Sequence, residues 1–262
     1  MNNRLLYEDV SLVIQGPSID NEKVDFIDAL PYYRSLFSEI ILSTYTEHLI
    51  SNWKLLKVCE KNDIKIVHQT IDIDKFCLDR LINHSIYYQT YTSLNGFKVS
   101  TKKYTIKHRI DERYSNLHIL IDKFLSDDEK LVSGGTLFAP KVWNPYHVGD
   151  HLFISKTEKL IKTFEMSVDY LYGENFIEEG PEYNYTRNFL RIHGENPVDE
   201  NHDELMRKYF DFVPDKYMFP FVIRSNTNDE GNQVWRTLEE YGPLRSQYET
   251  LDDIFYSPYL PW

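Results

Sequence analysis

The sequence predicts an α/β protein built on a largely parallel sheet, and three observations predict it. Short apolar runs alternate with longer amphipathic segments through the first half of the chain, the rhythm of βα units. Most of these runs end in a polar or glycine-bearing cluster, namely Gln15-Gly16-Pro17-Ser18, Ser43-Thr44-Tyr45, His68-Gln69 and His108-Arg109-Ile110-Asp111-Glu112. Hydrophobic residues make up 42% and charged residues 27% of 262 residues, the composition of a globular chain with a sizeable core.

The elements follow in order. Val10–Ile14 reads as the first strand, broken by Gln15-Gly16-Pro17-Ser18. A helix over Asn21–Leu36 follows, with Pro31 as its interruption or end. Glu39–Leu42 is the second strand and Ile64–Val67 the third. Between them His48–Glu60 has helical periodicity that turns Ile50, Trp53, Leu56 and Val58 inward. Leu78–Phe97 is a long aromatic helix with Asn95-Gly96 as its stop signal. Tyr104–Lys107 is the fourth strand, Ser115–Leu125 a helix capped by Ser115, and Leu131–Ala139 two short strands divided at Gly134-Gly135. Beyond Asn144-Pro145 the rhythm changes to helices at Thr157–Tyr170, Pro181–Ile192 and Asp203–Tyr209, then a segment rich in aromatics and turns. With no repeat or linker in view, residues 1–262 are expected to form a single domain, residues 1–115 one half and 116–262 the other.

Charge and cysteine usage exclude several classes. With 29 Lys and Arg against 41 Asp and Glu, the net charge of -12 makes nucleic acid an unfavourable partner, although a local cation cluster can still hold one phosphate group. Two cysteines, Cys59 and Cys77, form neither a disulfide framework nor a thiolate zinc site. No apolar run approaches the roughly 20 residues of a membrane span, and the first residues carry no signal-peptide pattern. A reducing, cytoplasmic setting is the expectation.

An open parallel sheet binds ligands in the crevice outside the carboxyl ends of its strands, which directs attention to Gln15, Gly16, Pro17, Ser43 and Thr44. Gly16 would let a ligand approach the backbone and Pro17 would stiffen the loop; the same residues also suit a plain turn. In Lys107-His108-Arg109-Ile110-Asp111-Glu112 the period of two sends Lys107, Arg109 and Asp111 to one side. That arrangement could neutralise a diphosphate and hold a divalent metal, Mn2+ or Mg2+, against it; a charged strand end can also be a solvated edge. His147, Asp150 and His151 form a second cluster, able to add a contact to metal or sugar from Asp150 or His151. Glu182, in the first turn of a helix opened by Pro181, can serve as general base for an acceptor hydroxyl, with Asp150 as the second candidate. Acidic residues also favour first turns for the helix dipole alone.

Together, Val13-Ile14-Gln15-Gly16-Pro17, Ile40-Ile41-Leu42-Ser43-Thr44-Tyr45 and the Lys107-x-Arg109-x-Asp111 strand end resemble the WavE family of lipopolysaccharide-synthesis proteins, itself similar to GT-A glycosyltransferases. The resemblance covers about the first 115 residues. It implies a GT-A-like (Rossmann-like) nucleotide-binding half, a mixed α/β acceptor half, a nucleotide-sugar donor of UDP or GDP type and a glycan or lipopolysaccharide-like acceptor. Gln15, Gly16, Pro17, Ser43 and Thr44 would line the nucleotide pocket with Lys107 and Arg109, and Asp111, with His151 near it, would stand for the metal-binding group. The chain departs from the usual Asp-x-Asp of GT-A enzymes, having Arg109-Ile110-Asp111-Glu112, and Tyr45 stands where the family has Trp. A sugar-phosphate nucleotidyltransferase is a second reading, though the first loop lacks the glycine-rich, basic phosphate cradle it favours. A catalytically silent carbohydrate-binding protein on the same scaffold is a third.

Overall fold

The computed structural model describes residues 7–16, 25–70, 84–134, 145–172, 181–214, 217, 222–227 and 233–237. In chain order the elements are β1 (Val10–Gln15), α1 (Asp25–Leu36), β2 (Glu39–Tyr45), α2 (Thr46–Ser51), α3 (Trp53–Lys61), β3 (Lys65–Gln69), α4 (His84–Val99), β4 (Tyr104–Arg109) and β5 (Glu112–Arg113). They continue with α5 (Leu117–Ser126), β6 (Leu131–Gly134), β7 (Leu152–Lys156), α6 (Thr157–Tyr172), α7 (Pro181–Arg191), α8 (His202–Tyr209), β8 (Phe210–Val213), β9 (Val222–Thr227) and β10 (Gln233–Thr237).

Seven strands form one sheet in the order β3-β2-β1-β4-β7-β6-β8. The half from β3 to β4 is wholly parallel, whereas β7 runs antiparallel to both β4 and β6. This is the α/β, mainly parallel, Rossmann-like architecture that the rhythm of the sequence predicts. Strands β10, β9 and β5 make a small antiparallel sheet beside it.

All six residues of β1 are buried, because helices cover both faces of the main sheet. On one face Leu12, Ile14, Leu42 and Ile106 meet Leu30 and Tyr33 of α1, Leu55 of α3 and Leu120 and Phe124 of α5. On the other, Val13, Ile41 and Phe153 meet Phe97 of α4, Phe164 of α6 and Phe189 of α7. The strand alternation thus splits the core into two layers with β1 and β4 at the centre.

Several boundaries differ from expectation for identifiable reasons. The segment after β2 is two helices, because Asn52 breaks the first and its side chain accepts a hydrogen bond from Leu55 N at 3.1 Å, capping the second. The break resets the helical phase. Leu55 and Cys59 therefore point inward, while Ile50 and Trp53 are exposed. Pro31 lies inside α1, whose Leu30, Tyr33 and Leu36 are buried against the sheet. Asn116, not Ser115, opens α5, at a left-handed φ of 60°. Strand β7 was not anticipated, although Leu-Phe-Ile-Ser-Lys is a short, mostly apolar run. Cys77, Pro17 and the segments 71–83 and 135–144 lie outside the described residues.

Gly96 does not stop α4, which continues to Val99. A Cβ there would stand 2.3 Å from Val13 Cγ1 and 3.2 Å from Ser43 Cβ, so this glycine lets the helix lie close on β1 and β2. Gly96→Ala should accordingly destabilise the fold by about 1–2 kcal/mol, the overpacking penalty exceeding the gain in helix propensity. Thermal melts of Gly96→Ala, Val13→Ala and the double variant check this. The double variant should lose less than the sum of the singles, because truncating Val13 makes the room that the new methyl needs.

Candidate active site

The carboxyl ends of β1 and β4 lie side by side, Gln15 in register with Arg109. Ile110 N donates to Gln15 O at 2.8 Å, which carries the link one residue beyond β4. Gly16 follows at φ 129°, a conformation that side chains disfavour, and a Cβ on it would come within 3.0 Å of Ile110 Cγ2. The turn after the first strand and the acidic tip of the fourth therefore share one edge of the sheet. Gln15, Ser43 and Thr44 are buried there with inward partners. Thr92 Oγ1 donates to Gln15 Oε1 at 2.9 Å, Ser43 Oγ donates to Thr92 O at 2.6 Å, and Thr44 Oγ1 donates to Gly16 O at 2.7 Å. These side chains lock α4 and the turn to the sheet. Pro17 lies outside the described residues.

Beyond Gly16 the charged strand tip meets the loop that leads into β7. Lys107 is 0% exposed; its ammonium donates to the Asp150 backbone carbonyl and lies 3.5 Å from Asp150 Oδ2. A group so enclosed braces Asp150. Arg109 holds Asp111 with a two-pronged contact, Nε to Oδ1 at 2.9 Å and Nη2 to Oδ2 at 2.7 Å. Its Nη1 lies 3.1 Å from His151 Nε2. A guanidinium can only donate, so Nε2 accepts and His151 Nδ1–H donates to Glu112 Oε1. Tyr114 OH donates to the other oxygen of Glu112 at 2.6 Å, leaving that wholly buried carboxylate fully partnered. The opposite face of β4 carries His108, enclosed beside Tyr33 and Tyr114; burial pushes its pKa down to about 4.

The loop is held by a strained anchor. Tyr146 has φ 64°, costly for a bulky side chain, and its hydroxyl bonds Asn201 Oδ1 at 2.8 Å and the Val198 carbonyl. From this anchor Asp150 reaches Lys107, and His147 Nε2 comes to 3.9 Å from Glu182 Oε2 in the first turn of α7. Asp150 and Glu182 are close enough for their carboxyl groups to act on each other electrostatically. Burial works to raise both pKa values, but the Lys107 charge overrides it at Asp150, whose pKa falls below the ordinary carboxylate value. At Glu182 burial and the neighbouring Asp150 charge act together and push the pKa up to about 8. Two neighbouring carboxyl groups driven apart in this way suit the roles of an acid–base pair.

The residues expected to hold a metal do not form a cage. Both oxygens of Asp111 face Arg109, both nitrogens of His151 are engaged, and among the described residues no three His, Cys, Asp or Glu side chains converge as a cation site. For Asp111 the physical reason is the arginine two positions earlier, which supplies the positive charge itself. Sequence reasoning brought out Arg109, Asp111, Asp150, His151 and Glu182, which the fold gathers in one place. It missed the buried role of Lys107 and the link through Glu112, whose only signal was its place in the charged hexamer.

No family model matches the chain, and no curated protein matches it. The likeness to WavE proteins rests on the three sequence motifs. Among solved structures, glucosyl-3-phosphoglycerate synthase from Mycobacterium tuberculosis, in complex with Mn2+, uridine diphosphate and glucosyl-3-phosphoglycerate, is similar over 79% of this chain and 70% of its own, at 12% identity and a TM-score of 0.44. HddC from Yersinia pseudotuberculosis is similar over 59% of this chain and 79% of its own, at 14% identity and a TM-score of 0.37. Among the described residues, no helix is long and apolar enough to cross a membrane.

Two predictions follow from the charges. Lys107→Met leaves Asp150 buried without its cation and should cost about 3–5 kcal/mol, much of it recovered in Lys107→Met/Asp150→Asn; chemical denaturation measures both. The second concerns pH. Glu182 keeps its proton in the native state over the window from its ordinary 4.5 to about 8, where the unfolded chain has lost it, so its contribution to stability declines as pH rises through that window. Glu182→Gln removes the decline. Melting temperatures between pH 5 and 8 should show the variant gaining on the parent as pH increases.

Proposed function

We propose that the chain is a glycosyltransferase that moves a sugar from a nucleotide-sugar donor, of UDP or GDP type, to a hydroxyl of a glycan or lipopolysaccharide-like acceptor. The observation that carries the reading is the Asp150–Glu182 carboxyl pair beside Arg109, at the edge of the sheet where the Gly16 turn ends the first strand. Open parallel sheets take their ligands at that edge. The resemblance of the strand-end motifs to a sugar-transfer family points the same way.

In this reading the donor's nucleotide lies along the Gly16 turn and the backbone ends of β1 and β2, with its diphosphate toward Arg109. Glu182, whose side chain is 17% exposed, stands at the open side of the pair. In its ionised form, which gains population as pH rises toward and past about 8, its carboxylate takes the proton of the acceptor hydroxyl as that oxygen bonds the anomeric carbon. The bond from the anomeric carbon to the diphosphate oxygen breaks, and its electrons leave with the diphosphate, where Arg109 meets the growing charge. Asp150 stays ionised against Lys107 and sets the proton affinity of Glu182. The inward side chains of Gln15, Ser43 and Thr44 shape the floor of the pocket. The expected divalent ion has no protein cage in this arrangement, and no step is assigned to it.

Incubation with a panel of nucleotide sugars, followed by product analysis, tests the reading. The parent protein should hydrolyse or transfer from at least one donor. Glu182→Gln should retain the thermal shift given by the matching nucleotide while losing turnover by about 10²–10⁴-fold, the usual worth of a positioned base. A parent protein that binds glycans with no response to any nucleotide would instead be a carbohydrate-binding protein.

A further inference from the structure

We infer that Arg109 is a built-in counterion for the donor's diphosphate, so that this site binds a nucleoside diphosphate without a divalent metal. The inference rests on the nucleotide-sugar reading above and deepens it. A carboxylate at the tip of the fourth strand can act on a phosphate only through a cation, and the cation here is covalently part of the chain. Arg109 grips both oxygens of Asp111 at 2.9 and 2.7 Å, the geometry of a planar fork on a carboxylate. Nη1 also contacts His151 Nε2 at 3.1 Å, so the guanidinium is fixed from two sides. Each terminal nitrogen carries two N–H bonds, and among the described residues one on each is left for a phosphate oxygen.

The neighbours exclude the alternatives. Lys107 is 0% exposed and committed to Asp150, whereas the Arg109 side chain is 29% exposed. Glu112 is 0% exposed, with Tyr114 and His151 on its two oxygens and Arg109 Nε 3.7 Å from Oε1. A divalent ion at Asp111 would have to displace the arginine and then sit beside a guanidinium of like sign, an arrangement that electrostatics disfavours. Arginine and metal are therefore rival occupants of one carboxylate, and the fold has installed the arginine.

Thermal-shift and calorimetric titrations of UDP and GDP test this, each run in EDTA and in MnCl2. The parent protein should bind one of them in EDTA, with Kd changed less than about threefold by Mn2+. Arg109→Ala should weaken binding in EDTA by at least about tenfold, and Mn2+ should restore part of it, because Asp111 is then free to hold the ion. Arg109→Ala/Asp111→Asn, which keeps the local charge balanced if the single variant folds poorly, should lose binding with no rescue by Mn2+. Parent binding that appears only with Mn2+ would overturn the inference while leaving the transferase reading in place, as would undiminished binding by the double variant in EDTA. Failure of both nucleotides to bind the parent under either condition would overturn the transferase reading itself, and this inference with it.

Discussion

The site depends on one buried ion pair, the Lys107 ammonium against Asp150. A charge taken wholly out of water costs several kcal/mol unless a partner meets it, so neither residue is tolerable in its place without the other. Lys107 lies on the central strand β4, and Asp150 on a loop reached only after α5 and β6. Their contact therefore ties the loop to the sheet at a defined point. The next residue, His151, is brought by the same tie to Arg109 and Glu112, and strand β7 then continues antiparallel to β4 from Leu152. The strained Tyr146 is the other end of the tether, and its hydroxyl bonds beside α8 hold the loop's start against the pull of its end.

The two ends of the sheet spend their polar groups differently. At the amino end Glu39 accepts from Thr101 N at 2.9 Å and Thr101 Oγ1 at 3.0 Å, and Ser11 also donates to it; these bonds fasten the loop before β4 to the start of β2. At the carboxyl end Gln15, Ser43 and Thr44 are consumed in the same way, as are the backbone N–H and C=O of Gly16, whereas Arg109 and Glu182 stay partly open. The asymmetry matches the general position of ligand crevices in open α/β sheets.

The parallel half of the fold was legible because each of its strands is a short apolar run ended by polar residues, and the helices between them carry a 3.6-residue period. What escaped the sequence was decided by contacts between distant segments. The phase of α3 depends on the Asn52 cap, and Gly96 is read as a stop signal until the proximity of Val13 and Ser43 gives it another reason. Strand β7 is a short apolar run that acquires its identity by pairing with β4 and β6. At the site, the residue types were visible but the pairings were not. Nothing in the order Lys107-His108-Arg109-Ile110-Asp111-Glu112 says that the lysine would be enclosed and the arginine would take the aspartate.

Alternation along β4 explains why these pairings do not interfere. Lys107 and Arg109 share the face that meets the 145–151 loop, while His108 is turned to the other face and kept in an apolar setting by Tyr33 and Tyr114, where burial disfavours its charged form. A second charge on that face would act on Glu112 from behind. The low proton affinity of His108 leaves Glu112 to serve His151, Tyr114 and, at 3.7 Å, Arg109. The opposite pKa displacements of Asp150 and Glu182 follow from their neighbours: Lys107 bonds Asp150 and lowers it against burial, whereas at Glu182 burial and the Asp150 charge act in the same direction. Proximity of that ammonium keeps Asp150 the anion of the two, and burial, joined by that anion, makes Glu182 the group that holds a proton and can give or take it.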